Sequence, residues 1–325
     1  VPDKRISLTV LVPVFNEDES LSELYNWVKK VVSENEITHE ILFIDDGSDD
    51  NSWSVIEEMA GRDASVRGYR FTRNYGKSSA LQMGFQHAKG EIVITMDADL
   101  QDSPDEIPGL MEMIEERNYH LVSGWKKKRH DPLEKRLPSK FFNGVTSKVS
   151  GIKLHDFNCG LKAYKLQVVQ SITLYGEMHR YIPLLAKWNG FNRIGEKVVE
   201  HRARKYGTTK FGFRRYLTGF LDLLSVIFVT RFRKNPMHFF GALGTISFLF
   251  GFFVTIWVIG EKIYRLYYQL PHLRDVVDQP LFYLALVALI VGVQLFLAGF
   301  LGEMVMMTGS NKTDFLISDT IGDDT

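Results

Sequence analysis

One cysteine, Cys159, stands among 325 residues. That excludes an internal disulfide framework and a cysteine-rich zinc site, and the residue reads as a small buried hydrophobe. Net charge is also lacking, since 39 basic residues balance 39 acidic ones. A globally basic nucleic-acid-binding fold is therefore not expected. Several ligand signatures are absent as well. Gly76-Lys77-Ser78 ends like a P-loop, but the position where that loop needs its first glycine is Phe71. No glycine-rich dinucleotide fingerprint follows the first strand, no HExxH or zinc-spaced cluster occurs, and DDGSDDN lacks the placement of an EF-hand loop. No basic stretch leading into a long apolar helix opens residues 1–14, so no secretory signal is expected there.

The charges that are present are sorted along the chain. Residues 1–120 carry 11 basic and 24 acidic side chains, residues 121–234 carry 24 and 7, and residues 235–325 carry 4 and 8. Two stretches in the last segment, 236–260 and 279–302, contain no Asp, Glu, Lys or Arg. About 20 apolar residues cross a bilayer core as a helix, so both qualify as membrane spans. Arg231, Arg233 and Lys234 precede the first span, whereas the connector Glu261–Asp278 is charge-mixed. The positive-inside rule then places the large N-terminal part in the cytoplasm, and two spans return the C-terminus there. The expected location is the inner (plasma) membrane. Residues 213–234 are apolar with basic ends and interrupted by Asp222, which fits an interfacial amphipathic helix better than a third span. Gly241, Ala242 and Gly244 offer a close-packing surface within one chain or between chains of a homo-oligomer.

The first 125 residues alternate strand and helix patterns. Strands are expected at 6–14, 40–44, 66–71, 91–96 and 120–123, and helices at 19–33, 52–61, 77–89 and 105–117. Repeated units of this length imply a mainly parallel sheet covered by helices on both faces. Ligands bind beyond the carboxyl ends of such strands, where Glu17, Asp45, Asp46, Asp97 and Asp99 fall. Asp97-Ala98-Asp99 follows a buried strand directly. Alternating acids there can offer oxygen ligands to magnesium or manganese, which takes its remaining ligands from water and substrate phosphates; a solvated acidic turn is the simpler alternative. The basic runs 126–129 and 204–210 supply guanidinium and ammonium groups that pair with phosphates, or else attract anionic lipid.

Five motifs carry a resemblance when taken in order: Val12-Pro13-Val14-Phe15-Asn16-Glu17, Asp45-Asp46-Gly47-Ser48, Arg73-Asn74-Tyr75-Gly76-Lys77, Asp97-Ala98-Asp99-Leu100-Gln101 and Asp156-Phe157-Asn158-Cys159-Gly160. Arg204 to Lys210 matches a sixth, RxxGxSK, with Thr209 for serine. Over residues 6–215 the chain resembles the polyprenyl-phosphate glycosyltransferases of the dolichol-phosphate mannose synthase type, in glycosyltransferase family 2. Its two-span tail is most similar to the bacterial GtrB-type glucosyltransferases and their aminoarabinose-transferring relatives.

The resemblance implies an α/β GT-A domain (Rossmann-like, mainly parallel) over 1–212, an interfacial helix over 213–234, a two-helix membrane domain over 235–310 and a cytoplasmic tail over 311–325. It implies inverting, metal-dependent sugar transfer from a nucleotide-sugar donor to polyprenyl phosphate in the bilayer. UDP-glucose leads as donor, with GDP-mannose or a UDP-aminoarabinose type as alternatives. Pro13, Phe15, Glu17, Asp45, Asp46, Lys77, Ala98 and Lys126 would contact the donor nucleotide and its phosphates. Asp97, Asp99 and Gln101 would hold Mg2+ or Mn2+. Arg180, Arg204 and Lys210 would engage donor or acceptor phosphates. Asp156 and Asp99 are the catalytic candidates. An acceptor phosphate is already anionic, so Asp156 serves as a base, as an orienting group, or as a brace for its own turn. A processive polysaccharide synthase would need a QxxRW motif and more spans. A non-enzymatic scaffold on anionic lipid would leave the strand-end acids unexplained.

Overall fold

A computed structural model describes residues 6–127, 143–144, 146–148, 150–174, 176–202, 236–271, 274–308 and 317–321. The chain divides into two compact units: Val1–Ile227 with Asp314–Thr325, and Phe228–Thr313.

The first unit is built on an eight-stranded sheet. Its strands are β1 (Leu8–Val14), β2 (His39–Asp45), β3 (Val66–Phe71), β4 (Ile92–Thr95), β5 (Leu121–Trp125), β6 (Lys162–Lys165), β7 (Ile194–Val198) and β8 (Ile317–Ile321), in the order β7-β5-β6-β4-β1-β2-β3-β8. Strand β6 runs antiparallel to β4 and β5, and β8 antiparallel to β3; every other pairing is parallel. The central strands read LTVLVPV and HEILFID because helices cover both faces, which removes the polar alternation of a half-exposed strand. Helices α1 (Asp18–Glu34), α2 (Ser52–Arg62), α3 (Lys77–His87) and α4 (Ile107–Glu115) follow β1 to β4 in turn, and the short α5 (Leu166–Gln170) and α6 (Ile182–Trp188) follow β6. Leu21, Leu24, Val28 and Val31 of α1 lie at helical spacing and pack with Val10, Val12 and Phe43 of the sheet in the main core.

Register sets where the site falls. Val14 of β1 pairs with Asp45 of β2, and Leu11 with Thr95 of β4. Strands β1 and β2 therefore end together, while β4 ends level with Leu11, and the residues just past β4 become neighbours of the last residues of β1. Asn16 turns the chain out of β1 with φ 57°, held by Ser48 Oγ accepting its N–H at 3.0 Å. Gly47 has φ 71° and packs against the Arg73 backbone, where an added Cβ would come within 2.4 Å. Only glycine fits that approach.

Residues 311–325 read in sequence as a tail, but Ile317–Ile321 form β8 and close the β3 edge of the sheet. The expected helix over 213–234 lies outside the described residues.

The second unit holds α7 (Pro236–Tyr267) and α8 (Pro280–Thr308), which extend beyond the expected spans. Their windows 237–267 and 280–305 have mean hydropathies of 2.1 and 2.6 and are long enough to cross a membrane. The two helices pack through small residues. A Cβ on Gly244 would sit 2.7 Å from Gly292 O, and one on Gly251 would sit 2.6 Å from Ala285 O. Ser247 Oγ donates to Ala288 O at 2.9 Å. Gly244 thus serves packing within the chain, as small residues do between helices that lack a hydrophobic drive to associate.

Candidate active site

A cleft of about 320 Å³ opens at the carboxyl ends of β1, β2 and β4, lined by Pro13, Phe15, Glu17, Asp46, Lys77 and Asp97 to Asp99 among others. Phe15 stands at the end of β1 with 42% of its surface exposed, an apolar ring presented to solvent beside carboxylates. Glu17 precedes α1.

Of the neighbouring acids Asp45 and Asp46, only Asp46 reaches the cleft. Asp46 accepts the backbone N–H groups of Tyr75 at 2.7 Å and Gly76 at 2.9 Å. Burial raises its carboxyl to about 6, against the pull of those two donors. Asp45 points the other way. It accepts the N–H and hydroxyl of Ser48 and lies 3.4 Å from Arg70 Nε. Its work is to close the DDGS turn, not to line the cleft.

Asp97 and Asp99 both line the cleft. Burial would raise the Asp97 carboxyl, but the cations of Lys77, Lys126 and Lys162 outweigh it and bring it to about 2. Gly160 of the DFNCG turn lies against this carboxylate, and a Cβ there would sit 2.5 Å from Asp97 Oδ2. Asp99 Oδ1 accepts the Gln101 N–H at 3.2 Å. Leu100 between them takes φ 59°, a left-handed turn that brings the chain away from the cleft. Gln101 consequently does not line it; its amide donates to Arg202 O at 3.5 Å.

The donor chemistry of Asp97 and Asp99 fits a hard divalent cation that draws its other ligands from a substrate's phosphates and water. No group of three or more His, Cys, Asp or Glu suited to a metal occurs among the described residues, so a cage built wholly from protein is not the fit.

Lys126 is placed away from the cleft. It is paired at 2.8 Å with the fully buried Asp102; burial opposes its charge, but Asp102 more than restores it. The pair braces the segment after Asp99 against β5. Asp156 is buried, and its Oδ1 accepts the Asn158 N–H at 3.1 Å within the DFNCG turn. Its backbone is fixed by Ser123 and Glu196, and it lines neither cavity of the site. Arg204 and Lys210 lie outside the described residues.

A second, small cavity of about 20 Å³ adjoins the cleft and shares Pro13, Lys77 and Asp97 with it; Arg180, His179 and Lys162 line its far side. His179 Nδ1 lies 3.0 Å from Ser78 Oγ. Burial, reinforced by the Lys77 and Arg180 charges, lowers His179 to about 3 and keeps it neutral. Lys162 was not legible as a site residue. It reads as one more lysine of a basic segment, and only the antiparallel insertion of β6 beside β4 brings it behind Asp97.

The family model for glycosyl transferase family 2 matches residues 9–173. A dodecaprenyl-phosphate galacturonate synthase from Rhizobium johnstonii is 34% identical over 310 residues, covering 94% of this chain and 90% of that protein. An undecaprenyl-phosphate 4-deoxy-4-formamido-L-arabinose transferase from Proteus mirabilis is 33% identical over 305 residues, covering 93% and 89%. Among solved structures, glucosyl-3-phosphoglycerate synthase from Mycobacterium tuberculosis, crystallised with Mn2+ and UDP-glucose, is similar with a TM-score of 0.54 at 16% identity, covering 69% of this chain and 78% of that one. At that identity the likeness is one of fold.

Proposed function

The chain belongs to glycosyl transferase family 2, and from that premise we propose that it transfers a sugar from a nucleotide-sugar donor to a polyprenyl phosphate at a membrane surface. One observation carries the reading. The segments that follow β1, β2 and β4, with the start of α3, gather Phe15, Glu17, Asp46, Lys77, Asp97 and Asp99 around a single cleft. The two apolar helices and the names of the two relatives support the lipid acceptor.

In this reading the Phe15 ring stacks on the base and Asp46 and Glu17 hold the base edge and ribose. Asp97 and Asp99 would hold Mg2+ or Mn2+, which supplies neutralisation of the negative charge that grows on the leaving diphosphate. Lys77 adds a fixed cation to the same end. An oxygen of the acceptor phosphate attacks the anomeric carbon in line. The new bond forms as the bond to the diphosphate oxygen breaks, inverting that carbon. The attacking oxygen carries no proton at neutral pH, so no strong base is required, and Asp156 acts as a positioning residue that shapes the DFNCG turn against Asp97. Arg180, Arg204 and Lys210 engage phosphates. Arg231, Arg233 and Lys234 favour a cytoplasmic catalytic unit on the inner membrane.

UDP-glucose remains the first donor to test, beside UDP-galacturonate, the formamido-arabinose nucleotide and GDP-mannose. Release of nucleoside diphosphate by the full chain, dependent on added undecaprenyl phosphate, identifies the donor. Release from none of them argues against the proposal.

A further inference from the structure

Lys162 is 4% exposed. It lies on β6 directly across from Thr95 of β4, lines the small cavity behind Asp97, and its ammonium donates to Cys159 O. No direct ion pair to Lys162 occurs among the described residues: the carboxylates that pull on it, Asp156 and Asp97, act from farther off, and Asp97 is paired with Lys77. Burial lowers Lys162 against the distant pull of Asp156 and Asp97, so holding its charge is costly, and the cost is relieved when an anion arrives. A second group in the same wall is also poorly satisfied. The Tyr164 hydroxyl is fully buried and makes no hydrogen bond of ordinary geometry, although Thr95 stands beside it, and a buried hydroxyl in that state is costly. Three basic side chains, Lys77, Lys162 and Arg180, line this cavity against one acid, Asp97. Its volume of about 20 Å³ suits a single oxygen atom and not a whole substituent.

We propose that Lys162 and Tyr164, with Arg180, form an oxyanion niche that receives one oxygen of an anionic substrate group projecting from the cleft. Two groups offer that chemistry: the phosphate of the lipid acceptor and a carboxylate on the donor sugar. The niche rests on the transferase reading for its substrates, and it adds to that reading a residue that selects or seats an anion.

Equilibrium binding to the full chain in nanodiscs tests it with four probes: UDP, UDP-glucose, UDP-galacturonate and citronellyl phosphate. Lys162→Met is expected to leave UDP affinity within about twofold and to weaken one anionic probe at least roughly tenfold. Loss confined to citronellyl phosphate assigns the acceptor phosphate. Loss confined to UDP-galacturonate, with UDP-glucose unchanged, assigns a sugar carboxylate. Tyr164→Phe removes one oxygen and no charge; it is expected to weaken the same probe about 3- to 10-fold, and it decides the matter if Lys162→Met no longer binds UDP. The niche is overturned if Tyr164→Phe and any UDP-binding form of Lys162→Met hold all probes within twofold of the unaltered chain. It is overturned equally if Tyr164→Phe weakens all four probes alike. The transferase reading fails separately, if the unaltered chain binds these probes and transfers no sugar.

Discussion

Lys77 Nζ donates to Asp97 Oδ1 across the cleft, joining the start of α3 to the loop after β4. The bond favours the ionised carboxylate against the burial that opposes it. Lys77→Met is expected to lower kcat/KM for the donor by about 10- to 100-fold, with Lys77→Arg retaining more. Initial-rate kinetics check this; unchanged kcat/KM in Lys77→Met would remove Lys77 from the site.

Cation dependence follows from Asp97 and Asp99. Chelation is expected to abolish transfer, and Mg2+ or Mn2+ to restore it. Asp99→Asn is expected to lose at least about 100-fold in kcat. Transfer that survives chelation would contradict the cation assignment, and full activity in Asp99→Asn would exclude Asp99 as its ligand.

Asp46 gives a pH prediction. Its folded pKa of about 6 lies above the unfolded value of 3.8. Between roughly pH 4 and 6 the folded chain therefore binds more protons than the unfolded one, and stability falls as pH rises. The stability advantage of the unaltered chain over Asp46→Asn is expected to shrink by up to ~3 kcal/mol from pH 4 to 7. Melting both proteins across that range tests it, and a constant difference would contradict it.

Much of this was legible in the sequence because periodicity reports burial. The apolar runs at 8–14 and 39–45 and the helical spacing of Leu21, Leu24 and Val28 announced a parallel α/β sheet with its site at the strand ends. The sequence could not say which of two adjacent residues faces that site. Asp45 and Asp46 point to opposite sides of one turn, and Lys126 turns inward to Asp102. Gln101, expected beside the two acids, lies outside the cleft lining for a related reason: the left-handed Leu100 redirects the chain after Asp99. Lys162 and β8 depend on pairing partners distant in sequence, and a short run such as ISDTI has no apolar pattern to betray a strand.

Strand β8 is itself testable. Gly68 to Phe71 of β3 pair with Ile317 to Ile321, and Ile321 packs against the main core. Removing residues 317–325 exposes the β3 edge and is expected to cost ~1–3 kcal/mol, a fall in Tm of roughly 2–8 °C. Scanning calorimetry of the truncated and full chains measures it. An unchanged Tm would mean that β8 contributes no stability to the sheet.

The central claim is sugar transfer to a lipid phosphate in the cleft that Asp97 and Asp99 line. Mass spectrometry of the lipid extract, after incubation of the full chain with undecaprenyl phosphate, the donor panel and Mg2+ or Mn2+, tests it most directly. The account predicts an undecaprenyl phosphate carrying one sugar, absent with Asp99→Asn. A polymer, or recovery of the acceptor unmodified with every donor, would contradict it.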